Sequence, residues 1–197
     1  VVIGAFSSDN KKYKTKDVIG TISAIYEINK INTRIPILGS EFQRNSDFDI
    51  IINNQKVELN SKEYAFNKVG MHEVNFELYD DINMDFMFKD IQSIVSVEMN
   101  SENNCKIKSM ISTFENCKSL ENINITDFNT QELTSMKKMF YNSGISNIIL
   151  NIELNNIEDM SYMFAGTNIA NENLLEVNLK SNNLKNVSNM FYKCGSL

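Results

Sequence analysis

The sequence predicts an α/β solenoid in which short helices and parallel strands alternate, preceded by a small all-β domain. The first observation behind this prediction is a cluster of methionine and phenylalanine, seen in "EDMSYMFAGTN", that recurs along the chain. The clusters end at Phe88, Phe114, Phe140, Phe164 and Phe191, which lie 26, 26, 24 and 27 residues apart. A fixed period between about 20 and 50 residues is typical of stacked repeats, so each cluster is expected to mark one unit.

The second observation is the spacing of the apolar residues that precede each phenylalanine. In the third unit Leu133, Met136 and Met139 lie seven, four and one residues before Phe140, and the other units largely follow this pattern. Such spacing places side chains on one face of a helix, so each cluster is predicted to form a short helix that packs inward. Methionine would fill irregular gaps between units, which is a simpler explanation than a metal or cofactor site.

The third observation is a strand pattern after the cluster. "IVSVEM", "LENINI", "ISNIIL" and "LLEVNL" each fit apolar-x-x-apolar-x-apolar, the strand core of a leucine-rich repeat. Their last two apolar residues share one face of a strand, so stacked units would form a parallel sheet covered by helices. We therefore predict a leucine-rich-repeat solenoid of about five units over residues 81–197. It is expected to continue beyond residue 197, because the last unit would otherwise expose its apolar face.

Residues 16–80 lack the methionine–phenylalanine cluster and are predicted to form a β-sandwich-like domain. "GTISAIYEI" alternates apolar and polar residues, and "FDIIINNQKVEL" indicates a hairpin around Asn53 and Asn54. "YAFNKVGMHEVNFELYD" resembles the closing strands of immunoglobulin-like or PKD-type sandwiches. Such a domain would cap one end of the solenoid. Residues 1–15 are interpreted as a linker or an incomplete strand.

The repeats resemble a known family. "MSYMFAGT", "MKKMFYNS" and "FENCKSLENINI" are similar to the methionine-rich form of BspA-type leucine-rich repeats, which are about 26 residues long. The resemblance covers about residues 81–197 and departs from the pattern at Asp81, at Thr113 and around "IANEN". It implies a protein at the cell surface or outside the cell, from a bacterium or a protist, that acts in adhesion or extracellular assembly.

Composition narrows the possible classes of function. The net charge is −6 and the basic residues are scattered, which argues against nucleic acid as a partner because phosphate binding needs clustered lysine and arginine. No apolar run approaches the roughly 18 residues of a membrane span. Association with a membrane is therefore expected only through segments absent from this chain.

No arrangement of residues typical of catalysis or metal binding is recognised. His72 is the single histidine, and no nucleophile-elbow sequence accompanies it. "DDINMDF" begins like a calcium loop, but Phe86 and Gln92 occupy the positions at which an EF-hand requires glycine and glutamate. The three cysteines form no CxxC motif, and Cys117 and Cys194 are explained as small buried residues at equivalent repeat positions. We expect no enzymatic activity, cofactor or metal.

The outward-facing residues of the repeat strands are predicted to form a binding face. These residues are Ser96, Glu98, Asn100, Asn122, Asn124, Thr126, Asn147, Ile149, Asn151, Glu176, Asn178 and Lys180. Most are short amides, which can bind a carbohydrate or a polar protein surface, or bond to each other along a ladder. A contact is expected to centre near Asn122, Asn147 and Ile149; the alternative is that the face is only solvated.

The leading functional hypothesis is non-enzymatic recognition, adhesion or structural assembly at the cell surface. The partner would be a protein, a glycan or another copy of the chain. The alternative is an intracellular leucine-rich-repeat scaffold. The odd number of cysteines favours this alternative, because free thiols are typical of proteins inside the cell. Asn124 and Asn186 begin N-x-[ST] triplets, and a glycan there would support the extracellular hypothesis, although such triplets are frequent in an asparagine-rich chain.

Overall fold

The computed structural model describes residues 16–169 and 181–195 of the chain. The strands are β1 (Gly20–Ile28), β2 (Arg34–Pro36), β3 (Phe48–Ile52), β4 (Gln55–Lys56), β5 (Glu63–Ala65), β6 (Gly70–Leu78), β7 (Ile82–Asn83), β8 (Ile94–Asn100), β9 (Ile107–Ser109), β10 (Asn122–Thr126) and β11 (Asn147–Asn151). These ranges contain no helix, and hence none that could cross a membrane.

Seven strands form one mixed sheet in the order β11-β10-β8-β1-β6-β3-β4. The repeat strands β8, β10 and β11 are parallel, whereas the strands from the N-terminal segment are antiparallel. β1 joins the two groups because it pairs with β6 on one side and with β8 on the other. The sandwich-like cap was therefore a wrong prediction: these strands extend the repeat sheet and cover the edge of β8, which would otherwise expose unpaired backbone groups.

Several local predictions are confirmed. The strand patterns after the first three clusters correspond to β8, β10 and β11, and their inward residues, such as Val97, Ile123 and Ile148, are buried. The hairpin between β3 and β4 turns at Asn53 and Asn54, whose φ angles are 53° and 61°. Two adjacent left-handed residues are the requirement of a type I′ turn.

The predicted helices are absent because each methionine–phenylalanine cluster forms a succession of tight turns. The N–H of Met87 donates to Met84 O at 3.0 Å, three residues earlier, whereas the N–H of Phe88 donates to Thr113 O of the next unit at 2.9 Å. The same alternation of local and inter-unit bonds recurs in the second, third and fourth units. The α/β leucine-rich-repeat solenoid was therefore the wrong fold class.

Two left-handed residues in each unit prevent a helix. They lie two residues before and two residues after the repeat phenylalanine, with φ between 53° and 73°: Phe86 and Asp90, Ser112 and Asn116, Lys138 and Asn142, Tyr162 and Gly166, Asn189 and Lys193. A left-handed residue breaks the right-handed helical path. A side chain also starts the turns, since Asn83 Oδ1 accepts the Asp85 N–H at 2.8 Å and Asp159 Oδ1 accepts the Ser161 N–H at 2.8 Å.

A column of phenylalanine rings runs between the sheet and the layer of turns. From Phe88 to Phe191 successive rings are stacked at 5.4–5.6 Å, with interplanar angles of 6–10°. Phe76 of β6 closes one end by meeting Phe88 edge-on at 5.6 Å. A loop packs over the first turn there, and a Cβ on its Gly39 would lie 2.1 Å from Phe86 O, so only glycine fits. The column therefore has a covered end, while Phe191 at the other is 38% exposed.

Candidate functional site

The outer face of the seven-stranded sheet carries a groove of about 260 Å³, called here the sheet groove. It crosses β6, β1, β8, β10 and β11. Its lining residues are Ser23, Ile25, Glu73, Ser96, Val97, Glu98, Asn122, Ile123, Asn124, Asn147 and Ile149. The groove thus combines strands from the repeats with strands from the N-terminal segment.

Strand register arranges the outward side chains in two rows. The first row is Asn147, Asn122, Ser96, Ile25 and Glu73, and the second is Ile149, Asn124, Glu98 and Ser23. Neighbouring strands lie about 4.8 Å apart, so adjacent members of a row can contact one another. The backbone that carries these rows is held by hydrogen bonds on both sides of each inner strand, which makes the groove a preorganised surface.

An amide pair stabilises one end of the first row. Asn147 Nδ2 donates to Asn122 Oδ1 at 2.9 Å. The bond joins equivalent residues of two successive units, as in the amide ladders of stacked strands. Part of the predicted amide face is thus bonded to itself, which was one of the alternatives raised by the sequence.

Asn124 differs from its neighbours. Its Oδ1 atom is buried but accepts no hydrogen bond from any residue in the described ranges. A buried acceptor without a partner lowers stability by about 1–3 kcal/mol. Asn124 pairs in register with Glu98 on one side and Ile149 on the other. It is therefore the best candidate for a contact with a ligand.

The charge of the groove is negative. Glu73 and Glu98 are exposed on its surface, and neither forms an ion pair within residues 16–169 or 181–195. The lining includes no lysine, arginine or histidine among the described residues. The groove therefore presents two carboxylates on its surface, and the unpaired carbonyl oxygen of Asn124 is buried beneath them.

The structure brings together half of the predicted binding face. Glu176, Asn178 and Lys180 lie outside the described residues. Of the other nine, six line the groove: Ser96, Glu98, Asn122, Asn124, Asn147 and Ile149. Asn100 and Asn151 are exposed at strand ends beyond the groove, and Thr126 Oγ1 donates to Met99 O at 3.4 Å.

Sequence reasoning missed the residues of the groove that precede the repeats. Ser23, Ile25 and Glu73 belong to β1 and β6. The alternation in "GTISAIYEI" identified the outward positions of this strand, but nothing in it indicated that β1 would pair with β8. The pairing of distant segments supplied these three of the eleven lining residues.

The single histidine and two of the three cysteines are buried in the packing of the chain. His72 is 8% exposed, its ring lies 4.7 Å from that of Phe66, and Nε2 is 3.0 Å from Lys68 O. The three cysteines are free thiols. Burial raises the pKa of both Cys105 and Cys117 to about 12, so neither is a ready nucleophile.

The aspartates of "DDINMDF" are engaged by the backbone. Asp81 Oδ1 accepts the Lys106 N–H at 3.0 Å, and Asp85 Oδ1 accepts the Ile111 N–H at 2.8 Å. Both bonds connect the first unit to the second. Within the described part of the chain no group of His, Cys, Asp and Glu is arranged to hold a metal ion.

The two N-x-[ST] triplets lie in contrasting surroundings. Asn124 is in the middle of β10 with its amide oxygen buried, whereas Asn186 is partly exposed and its Oδ1 accepts the Ser188 N–H at 3.0 Å. A glycan at Asn124 would project from the centre of the groove and block it.

Comparison with known proteins gave one match. The family model described as "Mycoplasma protein of unknown function, DUF285" matches residues 82–197, which is more than half of the chain. The matched region begins at β7 and covers all five methionine–phenylalanine clusters. No curated protein and no solved structure matched the chain.

Proposed function

The chain belongs to the DUF285 family, and we propose that it is a non-enzymatic recognition protein that binds a macromolecular partner through the sheet groove. The observation that carries the proposal is the buried Oδ1 of Asn124, which lacks a partner in a groove otherwise built from regular rows of side chains. Natural sequences seldom retain an unsatisfied acceptor in a strand without a reason. A ligand that donates a hydrogen bond to this oxygen, once the amide has turned it toward the groove, supplies one.

The form of the groove supports recognition rather than catalysis. It is an open depression on a sheet, not a cleft that excludes water. Its polar side chains are amides, serines and two glutamates spread over five strands. Broad, shallow surfaces of this kind suit an extended partner that makes many weak contacts.

Exposure at the cell surface is part of the proposal. It is supported by the resemblance of "MSYMFAGT" and "MKKMFYNS" to repeats of surface proteins. Labelling of intact cells with an antibody against this chain tests it: labelling without permeabilisation is expected. An intracellular scaffold would be labelled only after the membrane is opened.

Binding through the groove is tested with a lysine at Ile149. Ile149 is 51% exposed in the groove, and Val69 is 62% exposed and does not line it, so Ile149→Lys and Val69→Lys add the same charge at two exposed apolar residues. The wild-type chain is screened against immobilised peptides and glycans, and self-association is measured by analytical ultracentrifugation. We expect Ile149→Lys to abolish the observed binding and Val69→Lys to preserve it. Equal effects of the two variants, or no binding by the wild type, would contradict the proposal.

A further inference from the structure

The geometry points to a more specific ligand: we propose that the sheet groove binds lysine or arginine side chains of an extended partner polypeptide. This inference rests on the proposed function and names the chemistry of the partner. It follows from the charge of the groove, the position of its unsatisfied acceptor and the spacing of its two glutamates.

The unpaired carboxylates favour a cation. A ligand that covers the groove removes water from Glu73 and Glu98, which no described basic residue neutralises. Removing a charged group from water is unfavourable unless an opposite charge or hydrogen bonds replace the water. An uncharged glycan would leave the charges uncompensated, whereas an ammonium or guanidinium group would neutralise them. The groove lining also contains no aromatic ring on which a sugar could stack.

One subsite has the composition expected for a basic side chain. Glu98 and Asn124 are register partners on strands about 4.8 Å apart, so a rotation of the Asn124 amide toward the groove would place its oxygen beside the Glu98 carboxylate as a second acceptor. An ammonium group has three donors and a guanidinium group has five, and neither has an acceptor. Ile149 lies next to Asn124 and offers an apolar surface to the methylene stem of the bound side chain.

The second glutamate sets a spacing. Glu73 and Glu98 lie on the strands that flank β1, with Glu73 opposite Ile25 and Glu98 opposite Ser23. Two strand separations and two residues of offset place their Cα atoms about 12 Å apart. An extended peptide advances about 3.3 Å per residue and shows alternate side chains on one face. Basic residues at positions i and i+4 would therefore reach both carboxylates.

The test uses short synthetic probes and the intact chain. The probe is acetyl-Arg-Ser-Gly-Ser-Arg-amide; its comparison peptides replace both arginines by glutamate or by glutamine, and maltopentaose serves as the uncharged glycan. Binding is followed by amide chemical shifts of isotope-labelled chain at physiological salt. The arginine peptide is expected to shift resonances of groove residues, and the other three probes are not.

Two matched variants distinguish contacts within the groove from long-range attraction between the peptide and the negatively charged protein. Glu73→Gln/Glu98→Gln removes two charges from the groove, while Glu63→Gln/Glu102→Gln removes two exposed charges elsewhere. We expect the affinity for the arginine peptide to fall at least about tenfold in the groove variant and less than about twofold in the control. Equal losses in both variants would show that only long-range attraction is involved and would overturn the inference.

The remaining outcomes distinguish this inference from the proposed function. If the wild type does not bind the arginine peptide, the inference is wrong. If maltopentaose shifts the groove residues instead, the groove is a glycan site: recognition through the sheet face survives and a cationic ligand does not. If the array screen finds no ligand sensitive to Ile149→Lys, the proposed function itself fails.

Discussion

The rings of Phe88 and Phe114 lie almost parallel, with an interplanar angle of 9° and centroids 5.4 Å apart. The two residues are equivalent in successive units, and the relationship is repeated to the last cluster. Stacking of identical rings requires the backbones of successive units to be in register. The turn-to-turn hydrogen bonds provide this register, so the column and the bonds support each other.

The column predicts a gradient in the effect of truncation. Phe114 is fully buried between two stacked rings, whereas Phe191 is 38% exposed. Phe114→Ala is expected to lower the free energy of unfolding by about 3–5 kcal/mol, and Phe191→Ala by about 1–2 kcal/mol. Urea denaturation followed by circular dichroism measures both. Equal losses would mean that the rings do not form one continuous core.

A second prediction concerns a row of hydrogen-bonded side chains on the turns, which one substitution should lengthen. Asn116 Nδ2 donates to Asp90 Oδ1 at 2.7 Å, and Asn142 Nδ2 donates to Asn116 Oδ1 at 2.9 Å. The equivalent residue of the next unit is Gly166, with φ 73°, and a Cβ there would meet Asn142 only at ordinary contact distances from 3.4 Å. Gly166→Asn is expected to add a rung worth about 1 kcal/mol, which the positive φ offsets in part because asparagine tolerates it better than most residues, so stability should rise by less than about 1 kcal/mol.

The control for this ladder is Gly166→Val. A β-branched residue is strained at positive φ and cannot form the rung, so this variant should be less stable than the wild type by about 1–2 kcal/mol. Melting temperatures of the two variants give the comparison. A gain from valine as large as that from asparagine would show that the ladder contributes nothing.

Asn124 yields a third prediction, in which stability and binding change in opposite directions. Asn124→Val removes an unsatisfied buried acceptor and introduces a residue favoured in strands, so stability should rise by about 1 kcal/mol while binding at the groove weakens. Asn122→Val is the matched control on the same strand and face. It removes an acceptor that Asn147 uses, and is expected to give no gain. Destabilisation by Asn124→Val would identify its amide as structural.

The thiols provide a fourth prediction. Cys105 and Cys117 are buried and their pKa values are raised to about 12, whereas Cys194 is partly exposed. A thiol reagent at mildly alkaline pH should modify Cys194 rapidly and the other two only after denaturation. Cys194→Ser removes the fast phase and serves as the control. Rapid modification of all three in the native chain would contradict the packing of β9 and the second turn.

A fifth prediction concerns the loss of folding stability at low pH. Burial favours the neutral form of Asp49, but its bonds to Lys56 Nζ at 2.8 Å and Tyr79 Oη at 3.0 Å outweigh this and lower its pKa. A carboxyl with a lower pKa in the folded state adds stability above its unfolded pKa, and the contribution is lost as the pH falls through the folded value. Asp49→Asn should therefore reduce stability at neutral pH and flatten the decline in acid. Glu63→Gln, at an exposed carboxyl without a described ion pair, should leave the profile unchanged.

Local patterns predicted the strands well and the clusters poorly. Alternation identified β1, and the Asn53–Asn54 pair identified the β3–β4 hairpin, because both depend on nearby residues. In the first cluster the buried residues Met84, Met87, Phe88 and Ile91 follow the i, i+3, i+4, i+7 spacing of a helix. Successive turns that close every few residues produce the same spacing. Apolar periodicity therefore cannot separate the two structures.

The residues of the sheet groove likewise include some that the sequence predicts and some that only the structure identifies. The outward positions of β8, β10 and β11 follow from alternation, so their rows could be placed from the sequence. The contributions of Ile25 and Glu73 depend on β1 joining the repeat sheet, and the lack of a partner for Asn124 Oδ1 depends on which side chains surround it. These are contacts between segments far apart in the chain, and no local pattern contains them.

The sequence by itself therefore determined the repeat period, the buried residues and the polar rows of the outer face, because each depends on local spacing and polarity. The tertiary structure alone decided whether a cluster coils into a helix or turns repeatedly. That choice depends on where the backbone N–H of residues such as Phe88 and Phe114 finds its acceptor. Since the acceptor in the first four clusters is a carbonyl of the following unit, their conformation depends on contacts between units as well as on the local side chains that start the turns.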